Sequence, residues 1–202
     1  MKKFLSLALA LIMVMSLVTV GAGAVTFADA EEVTQAEAVE VMAALGILEG
    51  NGESFNPQGT LSRGAAAKII TYMLEGTVKA EAIKAAGVEV SSFPDVPTTS
   101  SNAAFIEYCA NKDIITGYTN GEFRRTNPVT GNAFIKMVLK AMGVEDIDFN
   151  TATNPAWTIE AIARAKAMGL LNGVENVEFN LNLTREAAAR IAFNAMTKNV
   201  VL

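Results

Sequence analysis

Apolar residues recur at helical spacing in short blocks along the chain, and most blocks stop at a glycine. Ala36, Val39, Met42 and Ala43 share one helical face, which predicts a helix over about 34–45 closed by Gly46. The same reading predicts a helix from the Ser62 cap to about Leu74 and a further one from about Val78 to Ala86, ending at Gly87. Others are expected from about Asn102 to Lys112, from Thr130 to Gly143, from Trp157 to about Met168 and from Thr184 to about Thr197. Between paired helices lie a glycine turn (Gly50, Gly117, Gly173) and a short extended piece with an aromatic (Phe55, Phe123, Phe179). The predicted class is mostly α.

The second helix of each pair opens in the same way. Leu61-Ser62-Arg63, Val129-Thr130-Gly131 and Leu183-Thr184-Arg185 each lead into an alanine-rich apolar helix. The repeat spacing is roughly 55 to 70 residues, longer than in common repeat arrays. One helix–turn–helix unit cannot bury its apolar face alone, so the three units are expected to pack together. The expected divisions are a leader over 1–30, unit one with its extra helix over 31–90, unit two over 91–150 and unit three over 151–202.

Ser62, Thr130 and Thr184 suit a cap, since a hydroxyl there accepts a hydrogen bond from a free N–H of the first turn. Arg63 and Arg185 are less expected, because the first turn carries partial positive charge and disfavours a cation. Two readings stay open. An anion is held between the helix end and the guanidinium fork, or both side chains extend into water at small cost.

Composition narrows the chemistry. Lys2 and Lys3 precede an apolar run from Phe4 to Val20 and then small residues, the pattern of a secretory leader. Ala28-Asp29-Ala30 is the preferred cleavage site and Ala22-Gly23-Ala24 the second. No later stretch is long and apolar enough to span a bilayer. The net charge of −5 becomes about −6 without residues 1–30, with 14 basic residues against 20 acidic, so nucleic acid is a poor partner. Histidine is absent, which removes Ser-His-Asp and Cys-His catalysis and most zinc chemistry. Neither cofactor nor metal is expected, and Cys109 reads as a small buried side chain.

Taken together, Phe93-Pro94-Asp95-Val96, Ile114-Ile115-Thr116-Gly117, Gly46-Ile47-Leu48-Glu49-Gly50 and Leu183-Thr184-Arg185-Glu186 resemble the S-layer homology family, in three repeats behind a leader. The resemblance implies a pseudo-threefold bundle that anchors its bearer to the wall of a Gram-positive-type envelope, exported and non-catalytic. It implies a secondary cell-wall polysaccharide as ligand, often with pyruvate ketals, held in grooves between repeats. It puts Arg63, Arg185, Trp157, Ser62, Thr184 and Thr130 at those grooves, with close glycan approach at Gly50, Gly117 and Gly173. A ketal carboxylate suits an arginine fork, and a sugar face suits an indole. Trp157 also reads as a core aromatic, the glycines as backbone-geometry residues and Asp95 as a cap.

Departures from the pattern predict unequal grooves. Gly131 stands where the motif has arginine, and Thr34 and Ser101 fall where unit three has Trp157. Ala65, Ala133 and Ala187 replace the acid of a capping box. Family members commonly carry a further C-terminal domain, which the resemblance implies as cargo. The second reading is a structural lattice or protein-interaction subunit without glycan affinity. An enzyme finds the least support, with no nucleophile elbow or carboxylate pair.

Overall fold

The structure is a computed structural model that describes residues 27–198. After a 3₁₀ turn over Ala30–Glu32 it comprises α1 (Ala36–Ala44), α2 (Arg63–Ala86), α3 (Ala103–Asn111), α4 (Gly131–Ala141), α5 (Trp157–Ala167) and α6 (Arg185–Lys198). No strand occurs among the described residues. Isolated antiparallel bridges join Thr60 to Thr184, Ser62 to Pro128 and Thr130 to Asn182. Helix α2 covers the two helices expected from the sequence, with a break at Gly76, whose φ of 72° leaves the helical region. None of the described helices is long and apolar enough to cross a membrane.

The expected caps are present. The Ala65 N–H donates to Ser62 Oγ at 3.2 Å, and the Ala133 and Ala187 N–H groups donate to Thr130 and Thr184 Oγ1 at 3.3 Å. Each satisfies one of the orphan donors of a first helical turn.

Helices pair across units rather than within them. The main contacts join α2 to α3, α4 to α5 and α6 to α1, so the second helix of every unit lies on the first helix of the next. The order is cyclic, with unit three returning to unit one. Helices α2, α4 and α6 also meet one another at the centre. Just before them the backbone closes a ring: Leu61 N donates to Leu183 O, Leu183 N to Val129 O, and Val129 N to Leu61 O, at 2.8–2.9 Å. Leu61, Val129 and Leu183 are at most 1% exposed, so this ring of polar groups lies in the apolar centre with every donor satisfied.

A second device repeats in units one and two. The Asp29 carboxylate accepts from the N–H groups of Phe55 and Asn56 at 2.7 and 2.6 Å, and that of Asp95 accepts from Phe123 and Arg124 at the same distances. Phe27 packs on Phe55 and Phe93 on Phe123, with ring centroids 5.3 and 5.2 Å apart. Asp95 therefore clamps the loop before the second helix rather than capping the first. Burial opposes its ionisation, but those N–H groups outweigh it and hold its pKa below the usual carboxylate value. The leader expected over 1–30 falls mostly outside the described residues, yet its last part, Phe27 and Asp29, is built into unit one.

Cys109 is fully buried beside the Ala67 carbonyl, and burial pushes its thiol up to about 12, so it acts as a small apolar side chain.

Glu186 fastens the last unit to the first. It is 6% exposed and accepts from Thr34 N at 2.8 Å, Thr34 Oγ1 at 3.1 Å, Gln35 N at 3.3 Å and Gln58 Nε2 at 2.6 Å. These partners include free N–H groups at the start of α1, capped here from over 150 residues away in sequence. Glu186→Ala is expected to strand those donors and cost about 2–3 kcal/mol. The melting temperature should fall by about 4–12 °C in a calorimetric scan.

Candidate functional site

The two arginines of the repeated helix entrance do the same thing at two seams. Arg63 donates from Nε to Phe123 O at 2.8 Å and from Nη2 to Thr116 O at 3.4 Å. Arg185 donates from Nε to Phe55 O at 2.9 Å and from Nη2 to Glu49 O at 2.7 Å. Phe123 corresponds to Phe55, and Thr116 to Glu49, each just before the turn glycine. Each guanidinium also lies over the matching phenylalanine ring, 4.5 Å from the Phe123 centroid and 4.8 Å from that of Phe55.

The backbone sets this direction. Arg63 N donates to Asn127 O and Gly64 N to Arg125 O, while Arg185 N donates to Gly59 O and Glu186 N to Pro57 O. The helix entrance is therefore pinned against the neighbouring loop, and its arginine runs along the seam rather than out into water. Neither arginine has a carboxylate within salt-bridge distance among the described residues. Burial lowers the pKa of Arg63, against the fields of Tyr118 and Asp95 and together with that of Arg124. Burial likewise lowers that of Arg185, against the field of Asp29. Both cations are thus partly desolvated without a full counter-charge, and among the described residues three of the five N–H donors on each have no protein partner.

Arg185 lines a cleft of about 240 Å³ with Gly50, Lys68, Lys84, Asn102 and Phe105, which draws on all three units. Lys68 sits six residues past its cap, as Lys136 and Arg190 do in units two and three. Sequence reasoning missed these three cations, whose common register was the available signal. Lys68 pairs with Glu49 at 2.7 Å and Arg190 with Glu37 at 3.2 Å. Lys136 instead donates to Phe149 O at 3.2 Å and lies 5.5 Å from the centroid of the Trp157 indole. Burial, and then Lys140, lowers its pKa against Asp148. Trp157 is half-buried, packed edge-on to Phe149 at 5.9 Å, and donates from Nε1 to Thr151 Oγ1 at 3.0 Å.

The third seam is built differently. Gly131 N donates to Leu181 O and Asn132 N to Phe179 O, repeating the backbone pattern, but a Cβ on Gly131 would stand 2.7 Å from Phe179 Cα. The space an arginine stem needs is filled by backbone. The cleft beyond, about 350 Å³, is lined by Thr34, Gln35, Gly173, Glu175, Glu178 and Glu186 and is acidic. Thr184 also lines it, while its Oγ1 serves the cap.

The turn glycines divide by cause. Gly173 has a φ of 85°, a left-handed conformation that glycine adopts without the strain of a side chain. Gly50 and Gly117 lack that conformation and are small because of crowding. A Cβ would lie 2.7 Å from Phe27 Cε1 at Gly50 and 3.0 Å from Phe93 Cε1 at Gly117.

Residues 26–67 and 92–134 match the S-layer homology domain model. The chain is 27% identical over 199 residues to a cell surface protein of Thermoanaerobacter kivui, covering 97% of this chain and 24% of that protein. It is 33% identical over 109 residues to an endoglucanase of Bacillus sp. (strain KSM-635), covering 51% of this chain and 11% of the relative. It is 24% identical over 152 residues to a surface layer protein of Brevibacillus choshinensis, covering 75% and 13%. The chain thus spans a quarter or less of the length of these relatives.

Gly131→Arg, which would complete the motif in unit two, is expected to destabilise the fold by about 2 kcal/mol or more, because the stem meets backbone. Urea unfolding of that variant should show a lower midpoint than wild type, with the slope unchanged.

Proposed function

We propose that this chain is a non-catalytic anchoring module that holds its bearer at the cell wall by binding an anionic secondary cell-wall polysaccharide at the Arg63 and Arg185 seams. Two S-layer homology matches and relatives named as cell surface and surface layer proteins support a cell-wall or S-layer location and an anchoring role. That a stretch similar to half of this chain occurs in a protein named endoglucanase supports a module carried by different bearers. The cyclic helix pairing and the closed backbone ring support a pseudo-threefold arrangement in which 151–198 acts as a third repeat.

One observation carries the ligand chemistry: two partly desolvated guanidinium groups without carboxylate partners, each with donors to spare. A carboxylate such as a pyruvate ketal on a sugar would supply both the charge and the acceptors. Trp157, over which Lys136 lies, offers an apolar face for a sugar ring at the edge of unit three. The acidic cleft behind Gly131 has no such arginine, so two seams serve this ligand and the third does not.

A structural subunit without glycan affinity is the second reading. It is favoured by the carbonyl bonds of both arginines, which tie one unit to another whether or not a ligand is present.

Co-sedimentation with purified wall sacculi separates the two. Wild type should pellet with intact sacculi and stay soluble once the acidic polymer is extracted. Arg63→Ala and Arg185→Ala should each weaken binding roughly tenfold or more. Equal pelleting with stripped sacculi, or variants that bind like wild type, would refute the ligand.

The packing of Phe27 and Asp29 into unit one supports leader removal upstream of them, at Ala22-Gly23-Ala24, the second of the two sites the sequence offers, rather than at Ala28-Asp29-Ala30. N-terminal sequencing of the exported protein should begin at Val25. A start at Glu31 would overturn this placement.

A further inference from the structure

Unit two carries something at the edge of its seam that the other units lack. The Tyr118 ring is 42% exposed. The Arg63 guanidinium lies 4.9 Å from its centroid and that of Arg124 4.4 Å from it, so two positive charges share one phenol. The loop is held in this shape. Tyr118 N donates to Glu122 O at 2.7 Å, and Arg124 adopts a φ of 59°, a conformation unusual for a non-glycine residue, with its N–H fixed by Asp95 at 2.6 Å. Arg124 has one carboxylate partner, Glu122, through a 3.0 Å contact in which both side chains are about 40% exposed. Such a surface pair is weak and readily exchanged for a ligand acid. The corresponding positions in unit one are Asn51 and Asn56, and in unit three Val174 and Asn180.

We infer that Tyr118 and Arg124 form an outer subsite continuous with the Arg63 seam, which takes a second acidic sugar of the same chain. This rests on the anionic-glycan reading above and adds to it a requirement for polymer length. Arg63 meets one acid from inside the seam. Arg124 meets the next from outside, and the exposed part of Tyr118 lies between them as an apolar contact for the sugar. The Arg185 seam has asparagines at these two positions, and its further cations, Lys68 and Lys84, line the cleft itself.

Calorimetric titration of the full chain with acidic polysaccharide extracted from sacculi, fractionated into single-repeat and several-repeat oligosaccharides, tests this. Arg124→Gln and Tyr118→Ala should weaken binding of the longer fragments roughly 3- to 10-fold. Arg124→Gln should leave the single-repeat fragment unaffected and reduce the salt sensitivity of long-fragment binding. Arg124→Lys should keep most of the affinity. A thermal melt of each variant separates lost binding from lost fold, and if Tyr118→Ala melts early the Arg124 pair carries the test. Wild-type affinity for long fragments in Arg124→Gln, while Arg63→Ala loses it, overturns the outer subsite alone. A wild-type chain that binds neither fragment overturns the glycan reading and the subsite with it.

Discussion

The fold depends on an exchange: no unit packs its own two helices together as its main contact. The second helix of each lies on the first helix of the next, and three backbone hydrogen bonds among Leu61, Val129 and Leu183 close the circle at the buried centre. A buried N–H without a partner is costly, so each unit needs the one that accepts from it. The last unit must therefore return to the first, and Glu186 reaches the start of α1 to make that return. Seams are the product of this closure. Each one brings a helix entrance against a foreign loop, which is where a side chain at the first turn can be drawn out of water.

That placement explains how a mildly unfavourable residue becomes useful. A cation in the first turn works against the helix dipole, a cost of a few tenths of a kcal/mol. Carbonyl oxygens from the adjoining loop and a phenylalanine face offset it for Arg63 and Arg185. Neither supplies a full negative charge. The result is positive charge held at particular seams of a protein whose net charge is −5, which is what the proposed acidic ligand would need to meet the seams rather than the surface at large. Gly131 shows the opposite solution, in which loop backbone replaces the side chain and the neighbouring cleft turns acidic.

Much of this was legible in the residues. Helical periodicity, the Ser62, Thr130 and Thr184 caps and the glycine stops gave element positions within a few residues, because they act over one turn of chain. The match of Arg63 with Arg185, and its failure at Gly131, was visible by aligning three short stretches. What stayed hidden acts over long sequence distances. Nothing local says that α1 lies on α6, that Asp29 holds the loop at Phe55 and Asn56, or that Glu186 caps a helix from the far end of the chain. Gly50 and Gly117 were read as conformational glycines, whereas the approach of Phe27 and Phe93 makes them small. The cations at Lys68, Lys136 and Arg190 share a register six residues past each cap, a signal that only alignment on the caps brings out. Arginine direction was undecidable because its partners are carbonyl oxygens of another unit, which no residue type announces.

The most direct test of the account is the Nε–H resonance of each arginine side chain in ¹⁵N-labelled protein, followed during titration with acidic wall polysaccharide and, in parallel, with the same polysaccharide stripped of its acidic groups. The account predicts that the Arg63 and Arg185 signals move with the acidic form alone, while Arg164, paired with Asp146 on the surface, stays in place. Unmoved Arg63 and Arg185 signals at a concentration where binding is complete would contradict it.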